Sequence, residues 1–328
     1  MALTINYPLT TVLVAGAAGF IGTRLIERLI GDGHHVVALD NLRRGRLAHL
    51  KRWEGHPQLT WVEADAADAD LPELAAGWRT PSPITEIWHL AANSDIPAGI
   101  EDPQVDLHDT FLTTYQLLSV ARALGVQRFM FASSSAIYGD LGDTEITEGV
   151  GPLMPISNYG AMKLASEAQI SAAVEAFLPQ AFLFRFPNVV GVPATHGVML
   201  DFVRKLQRDP SRLDVLGNGT QRKSYLHVAD LLDAMRHIMQ RSDARRSVFN
   251  IGPTDEGVSV RWIAEQVVAR ISPDAHIHYG TSDRGWVGDV PKFRYSVQRL
   301  AALGWQPTLD SAGAIRRAVD EIARQQGC

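Results

Sequence analysis

The chain has a single cysteine in 328 residues, and it is the last residue, Cys328. No intrachain disulfide can form, which fits a reducing compartment. Positive charge is not in excess: 31 Lys and Arg against 36 Asp and Glu give a formal charge of -5. That balance gives no electrostatic footing for nucleic acid or an anionic membrane as partner. The one basic cluster, Arg43, Arg44 and Arg46 with Lys51 and Arg52, reads as a solvated loop edge. No apolar run approaches the ~20 residues needed to span a bilayer. Met1 to Thr10 carries neither the basic start nor the apolar core of a secretory signal. The 11 histidines are scattered, and His34-His35 reads as entry to a strand, so no metal site is expected. Repeats and low-complexity segments are lacking. The expectation is a cytoplasmic globular protein, long enough for about two domains.

What is present is an alternation of strands and helices. Thr11-Val-Leu-Val-Ala-Gly reads as a first strand, Phe20 to Ile30 as a helix closed by Gly31 and Gly33, and His35 to Asp40 as a second strand, together a βαβ unit. Leu59 to Glu63, Glu86 to Leu90, Arg128 to Ser133 and Ala181 to Phe186 continue the strands. Helical patterns run from about Val105 to Leu124 and from Asn158 to Phe177. This order predicts an α/β fold, a doubly wound parallel sheet of Rossmann type. Beyond Asn188, Pro and Gly break the chain into shorter pieces, with helices over Val198 to Arg208, Val228 to Gln240, Val260 to Ile271 and Ser311 to Gln325. The expected division is a dinucleotide-binding domain over 1–188, with parts of 220–255 returning to it, and a smaller substrate domain over 189–328.

Gly16, Gly19 and Gly22 bridge the end of the first strand and the start of its helix. At such a junction a Cβ would block the turn, the approach of a pyrophosphate, or close helix packing. Phosphate then meets the unpaired N–H groups of the helix N-terminus. Asp40, at the end of the second strand, can accept hydrogen bonds from ribose hydroxyls and repels a 2′-phosphate, favouring NAD over NADP. Arg43 and Arg44 argue the other way, since guanidinium groups could accommodate that phosphate. Asp65 reads equally as an adenine contact or as a helix N-cap.

Tyr159 and Lys163 stand four apart in Tyr-Gly-Ala-Met-Lys, so both project from one helix face. A cation beside a phenol favours the phenolate, lowering a value near ~10 toward working pH. Tyr159 can then act as a general base. Ser133, Ser134 and Ser135 follow an apolar strand whose carboxyl end opens where ligands bind in such sheets.

These residues resemble the extended short-chain dehydrogenases/reductases, and among them the UDP-galactose (UDP-glucose) 4-epimerases of archaeal type. The likeness runs through His89-Leu-Ala-Ala-Asn93, Ala132 to Gly139, Tyr159 to Lys163, Arg185 to Gly191, Thr195 to Val198, Leu216 to Val228 and Gly285 to Pro291. It implies a tyrosinate, Tyr159, that removes the sugar 4-hydroxyl proton while hydride passes to NAD and later returns on the other face. Lys163 then sits on the nicotinamide ribose, and Ser134, placed by counting back from Tyr138-Gly139, partners the reacting oxygen. Cofactor contacts implied are Gly16, Gly19, Phe20, Ile21, Gly22, Asp40 and Asn41, then Asp65 and Ala66, then Leu90, Ala91 and Ala92, with Tyr159 and Lys163. Implied substrate contacts are Ser134, Ser135, Tyr159, Asn188, Val198, Lys223, Arg284 and Phe293. Phe293 resembles a position where an aromatic narrows the pocket around the sugar 2-substituent. Ala136 cannot carry the second proton that a dehydratase or decarboxylase needs, which leaves simple 4-epimerisation. The resemblance also implies a homodimer formed by the helices containing Val105 to Leu124 and Tyr159 to Phe177. Departures are Ala15 for a common Thr, Thr110 for an Asn that braces the active-site helix, Ser94 for a Lys, and Trp286 for an Arg. Alternatives are an NAD(P)-dependent 4-ketosugar reductase or dehydrogenase, an epimerase of another nucleotide-sugar such as a UDP-uronic acid, and a silent NAD-binding regulator.

Overall fold

The structure is a computed structural model, and it describes residues 10–142, 144–282 and 294–328. Seven strands form one wholly parallel sheet: β1 (Thr11–Ala15), β2 (His35–Asp40), β3 (Leu59–Glu63), β4 (Ile84–His89), β5 (Arg128–Ala132), β6 (Gln180–Arg185) and β7 (Arg246–Asn250). Their spatial order is β7-β6-β5-β4-β1-β2-β3. Every residue of β1 is buried, as a strand covered on both faces by helices requires. The order in which strands are added reverses between β1 and β4, with Ala15 paired with Leu39 on one side and His89 on the other. The crevice at that switch point is where an open α/β sheet takes its ligand.

One face of the sheet packs against α1 (Phe20–Gly31) and α5 (Val228–Arg241), through Leu25, Ile26, Leu231 and Met235. The other packs against α2 (Thr113–Leu124) and α3 (Asn158–Ala176), through Leu117, Val120, Ile170 and Val174. A third apolar cluster gathers α4 (Val198–Arg208), α6 (Val260–Ile271) and α7 (Ser311–Gln326) around Phe202, Ile263 and Ile315. Short parallel pairs join these regions: Asn188–Val190 with Tyr225–His227, and Arg212–Val215 with His276–Tyr279. Among the described residues no helix is long and apolar enough to cross a membrane.

Besides the short helices Leu71–Ala76 and Ile96–Glu101 and the short strand pairs, two elements depart from the sequence reading. The helix expected from Val105 to Leu124 begins at Pro103, capped by Asp102, and widens to π geometry over Leu107–Leu112 before α2. Hydroxyls here bond to backbone: Thr113 Oγ1 donates to the Asp109 carbonyl and Thr114 Oγ1 to the Thr110 carbonyl, competing with the regular ladder. The other departure is β7, a seventh strand that local patterning did not single out. It pairs with β6, from Arg246 opposite Ala181 to Asn250 opposite Arg185.

Candidate active site

Gly16 has φ +82°, and a Cβ there would lie 2.7 Å from the Ala91 amide nitrogen. A Cβ on Gly22 would lie 2.1 Å from the Gly16 carbonyl oxygen. Only glycine lets the turn close and α1 seat against it. Asp40 is buried at the end of β2 and accepts N–H bonds from Ala18 (2.9 Å) and Leu42 (2.8 Å). Burial pushes its carboxyl above the usual range while those two bonds pull it back. A carboxylate so held keeps acceptor capacity for ribose hydroxyls. Around this cradle the cavity is lined by Gly16, Gly19, Phe20, Ile21, Gly22, Asp40 and Asn41, and by Asp65, Ala66, Leu90, Ala91 and Ala92. All twelve cofactor positions expected outside Tyr159 and Lys163 therefore meet in one place.

Asp65 is not a helix N-cap. Its carboxylate closes a turn at the Ala67 amide (2.9 Å) and accepts from Asn41 Nδ2 (3.0 Å), while the next helix starts only at Leu71 after Asp70. Arg43 is engaged by Asp65 at 3.3 Å and Asp109 at 2.8 Å, and Arg44 by Asp95 at 3.6 Å. Both guanidinium groups thus face carboxylates rather than standing ready for a 2′-phosphate.

Ser134 follows β5 in extended conformation and caps the short helix Ser135–Tyr138, its Oγ accepting the Ala136 N–H. Ser133 points the other way and donates to Glu167 in the core. Ser134 and Ser135 line the large cavity with Tyr159, and Ser133 lines the adjoining cradle. Ser134 lies near enough to the Tyr159 side chain to favour its phenolate. Ser157 caps α3 by accepting the Gly160 N–H, which fixes Tyr159 in the first turn and Lys163 one turn on. Lys163 is 1 % exposed. Its Nζ donates to the Ala132 carbonyl at 2.7 Å and lies 5.8 Å from the centre of the Tyr159 ring. Burial lowers Lys163 to about 7, opposed by Glu167 and Asp106. Burial likewise pushes Tyr159 up to about 12, with Ser134 lowering and Asp106 raising it.

Behind this group Glu167 and Arg185 form a buried pair: Arg185 Nε donates to both carboxylate oxygens (3.0 and 3.2 Å) and Nη2 donates to Oε2 (2.6 Å). Arg185 also donates to Tyr138 Oη. This pair ties β6 to α3 and holds the β5 end in place.

The large cavity, about 1050 Å³, shares Phe20, Arg44, Ser94, Tyr159 and His196 with the cradle, so the two form one cleft. Asn188, Val198 and Lys223 line it. Arg284 and Phe293 lie outside the described residues, as does Trp286. Sequence reasoning did not assign roles to His196, Asp95 or Arg222, which also line the cavity. Thr195-His-Gly-Val198 was the available signal for the first of them. Among the described residues no group of His, Cys, Asp and Glu is placed to hold a metal ion.

A glycine cradle at the switch point of a doubly wound sheet, with Ser, Tyr and Lys at the end of β5, defines a nicotinamide-dinucleotide enzyme of the short-chain dehydrogenase/reductase class. Residues 12–252 match the NAD dependent epimerase/dehydratase family. A UDP-glucose 4-epimerase of Mycolicibacterium smegmatis is 30% identical over 315 residues, covering 94% of this chain and 97% of that one. A solved UDP-galactose 4-epimerase superposes with a TM-score of 0.83 at 33% identity, covering 96% of this chain and 99% of the other. The Thermus thermophilus UDP-glucose 4-epimerase in complex with NAD gives 0.80 at 28% identity, covering 95% and 98%. The chain belongs to the NAD dependent epimerase/dehydratase family, and the cradle of Gly16, Gly22 and Asp40 fits NAD.

Proposed function

We propose that this protein inverts the 4-hydroxyl of a UDP-hexose of the glucose and galactose type through a transient 4-keto sugar. The observation that carries the reading is the position of Tyr159: it lines both the NAD cradle and the large cavity, with Ser134 beside it and Lys163 beneath. When bound, NAD supplies the hydride acceptor and, after the keto sugar turns over, the hydride donor, so net redox change is zero. Tyr159 takes and returns the hydroxyl proton, Ser134 holds the reacting oxygen, and Lys163 stabilises the phenolate. Ala136 lines the cavity and carries no proton, which supports epimerisation over elimination or decarboxylation. Substrate contacts are assigned to Ser134, Ser135, Asn188, Val198 and Lys223, with Arg284 and Phe293 as the sequence implies.

In the same reading 1–188 with β7 holds the cofactor and the remainder holds the nucleotide-sugar, and the protein works as a cytoplasmic homodimer. Tyr115, 49% exposed on α2, with exposed Leu107 and Ile100 nearby in the chain, supports that pairing face. Phe293 is assigned to the sugar 2-substituent, so UDP-glucose and UDP-galactose should interconvert faster than their N-acetyl counterparts. Purified protein should carry NAD at about one per chain. Tyr159→Phe should lower turnover by ~100-fold or more with folding intact. Protein that is empty as isolated and active only with added NADPH would overturn the reading in favour of a 4-ketosugar reductase.

A further inference from the structure

The basic loop after β2 is not a free surface edge. Its first turn is strained: Leu42 has φ +59°, the one non-glycine residue in the left-handed region among the described residues. Such a conformation persists only where surrounding contacts fix it. Three contacts do so here. Asp40 Oδ1 accepts the Leu42 N–H (2.8 Å), Asn41 Oδ1 accepts the Arg43 N–H (3.1 Å), and Asn41 Nδ2 donates to Asp65 Oδ2 (3.0 Å). The loop then folds back over the ribose acid, since a Cβ on Gly45 would lie 2.8 Å from Asp40 Oδ1. Asp40, Arg43, Asp65 and Asp109 thereby line one cradle.

From this loop the Arg43 guanidinium reaches to the π turn that leads into α2, where Asp109 stands. Nη1 donates to Asp109 Oδ1 at 2.8 Å, and Nη2 lies 3.3 Å from Asp65 Oδ2. His108 Nδ1 completes the group, 2.7 Å from the same Asp109 oxygen and 3.2 Å from Arg43 Nη1. The Arg43 side chain is 54% exposed and that of Asp109 20%, so neither ion pair adds much to stability. What two carboxylates on one guanidinium do fix is the direction in which it points. In this fold an arginine near the ribose acid is the group that accommodates a 2′-phosphate. Arg43 is turned to Asp109 and Asp65 instead. We infer that Asp109, with Asp65, sets the choice of dinucleotide by holding Arg43 away from the 2′ position of the adenosine ribose. Asp40 then repels a 2′-phosphate with no cation beside it to offset the repulsion. Asp109 is in this sense a positioning residue, acting on cofactor choice through Arg43.

The inference rests on the fit of the cradle to NAD and not on the sugar chemistry, so a chain without epimerase activity would leave it standing. The cofactor-loaded protein is equilibrated with mixtures of NAD and NADP and freed of unbound nucleotide, and the dinucleotides it retains are released and quantified. The unmodified protein should retain NAD in large excess. Asp109→Asn should raise the retained NADP-to-NAD ratio by ~10-fold, because a released guanidinium gains a charge-assisted bond to a phosphate that NAD lacks. Asp109→Glu keeps the charge and should keep the native ratio. Beside Arg43→Ala, the same Asp109→Asn change should no longer move the ratio. An unmoved ratio in Asp109→Asn overturns the inference, and so does an equal rise with Arg43 removed, as a change in the local field alone would give. Equal retention of the two dinucleotides by the unmodified protein would overturn it together with the NAD preference.

Discussion

In the cofactor-free protein Tyr159 should be a poor base. Burial raises it to about 12, and Lys163, at about 7, has lost most of its charge at the pH where a phenolate is wanted. A full unit charge on Lys163, 5.8 Å from the ring centre, is worth about 3 kcal/mol at an effective dielectric of ~20, or about 2 pH units. Even a fully charged Lys163 would therefore bring the phenol only to ~10, and a dinucleotide held in the cradle would add positive charge beside it when bound. The assay is a pH titration of phenolate absorbance in the near ultraviolet, with Tyr159→Phe as the blank, on protein stripped of cofactor and on protein reloaded with NAD. The Tyr159 midpoint should lie at or above ~10 when stripped and fall by ~2 units or more on loading. Lys163→Met should raise the loaded midpoint, by at most about 2 units if the ammonium is fully charged there. Tyr159 ionising near neutral pH without cofactor, or a midpoint that NAD does not move, would refute the reasoning.

Three further outcomes follow from the same geometry. Lys163 has a folded value of about 7 against 10.5 unperturbed, so the unfolded chain binds more protons between those limits. The stability of the cofactor-free protein should therefore rise with pH from about 7 to about 10.5 and be lost again as pH falls, and denaturant titrations of Lys163→Met should show that slope removed. Glu167→Gln leaves the Arg185 guanidinium, 8% exposed, buried without its carboxylate; denaturant unfolding should show a loss of about 3–5 kcal/mol, and a loss under ~1 kcal/mol would contradict the packing described. Ser134→Ala should reduce kcat clearly more than Ser135→Ala, and the reverse order in steady-state rates would move the assignment by one residue.

Most of the frame was legible because its signals are local. Val198–Arg208 and Val260–Ile271 are helices with the bounds the periodicity implied, the second capped by Ser259. The glycine spacing and the Tyr-x-x-x-Lys spacing likewise state their geometry within a turn or two. What was missed depends on distant partners. Strand β7 is five residues long and becomes a strand by lying against β6, more than sixty residues earlier. Asp65 is ambiguous in sequence because a carboxylate after a strand serves either a helix or a turn, and its partners Asn41 and Arg43 come from the loop after β2. Asp106 and Asn93 resemble surface polar residues in sequence; only the docking of the Ile96–Glu101 helix and α3 buries them.

Hydride should leave C4 of the sugar and return to the same carbon without leaving the protein. The direct measurement is mass spectrometry of the UDP-galactose formed from UDP-glucose deuterated at C4, with unlabelled NADH and NADPH in the surrounding solution. Product should carry the full C4 label and form without added cofactor. Loss of deuterium to the external pool, or turnover only in proportion to added NADPH, would contradict it.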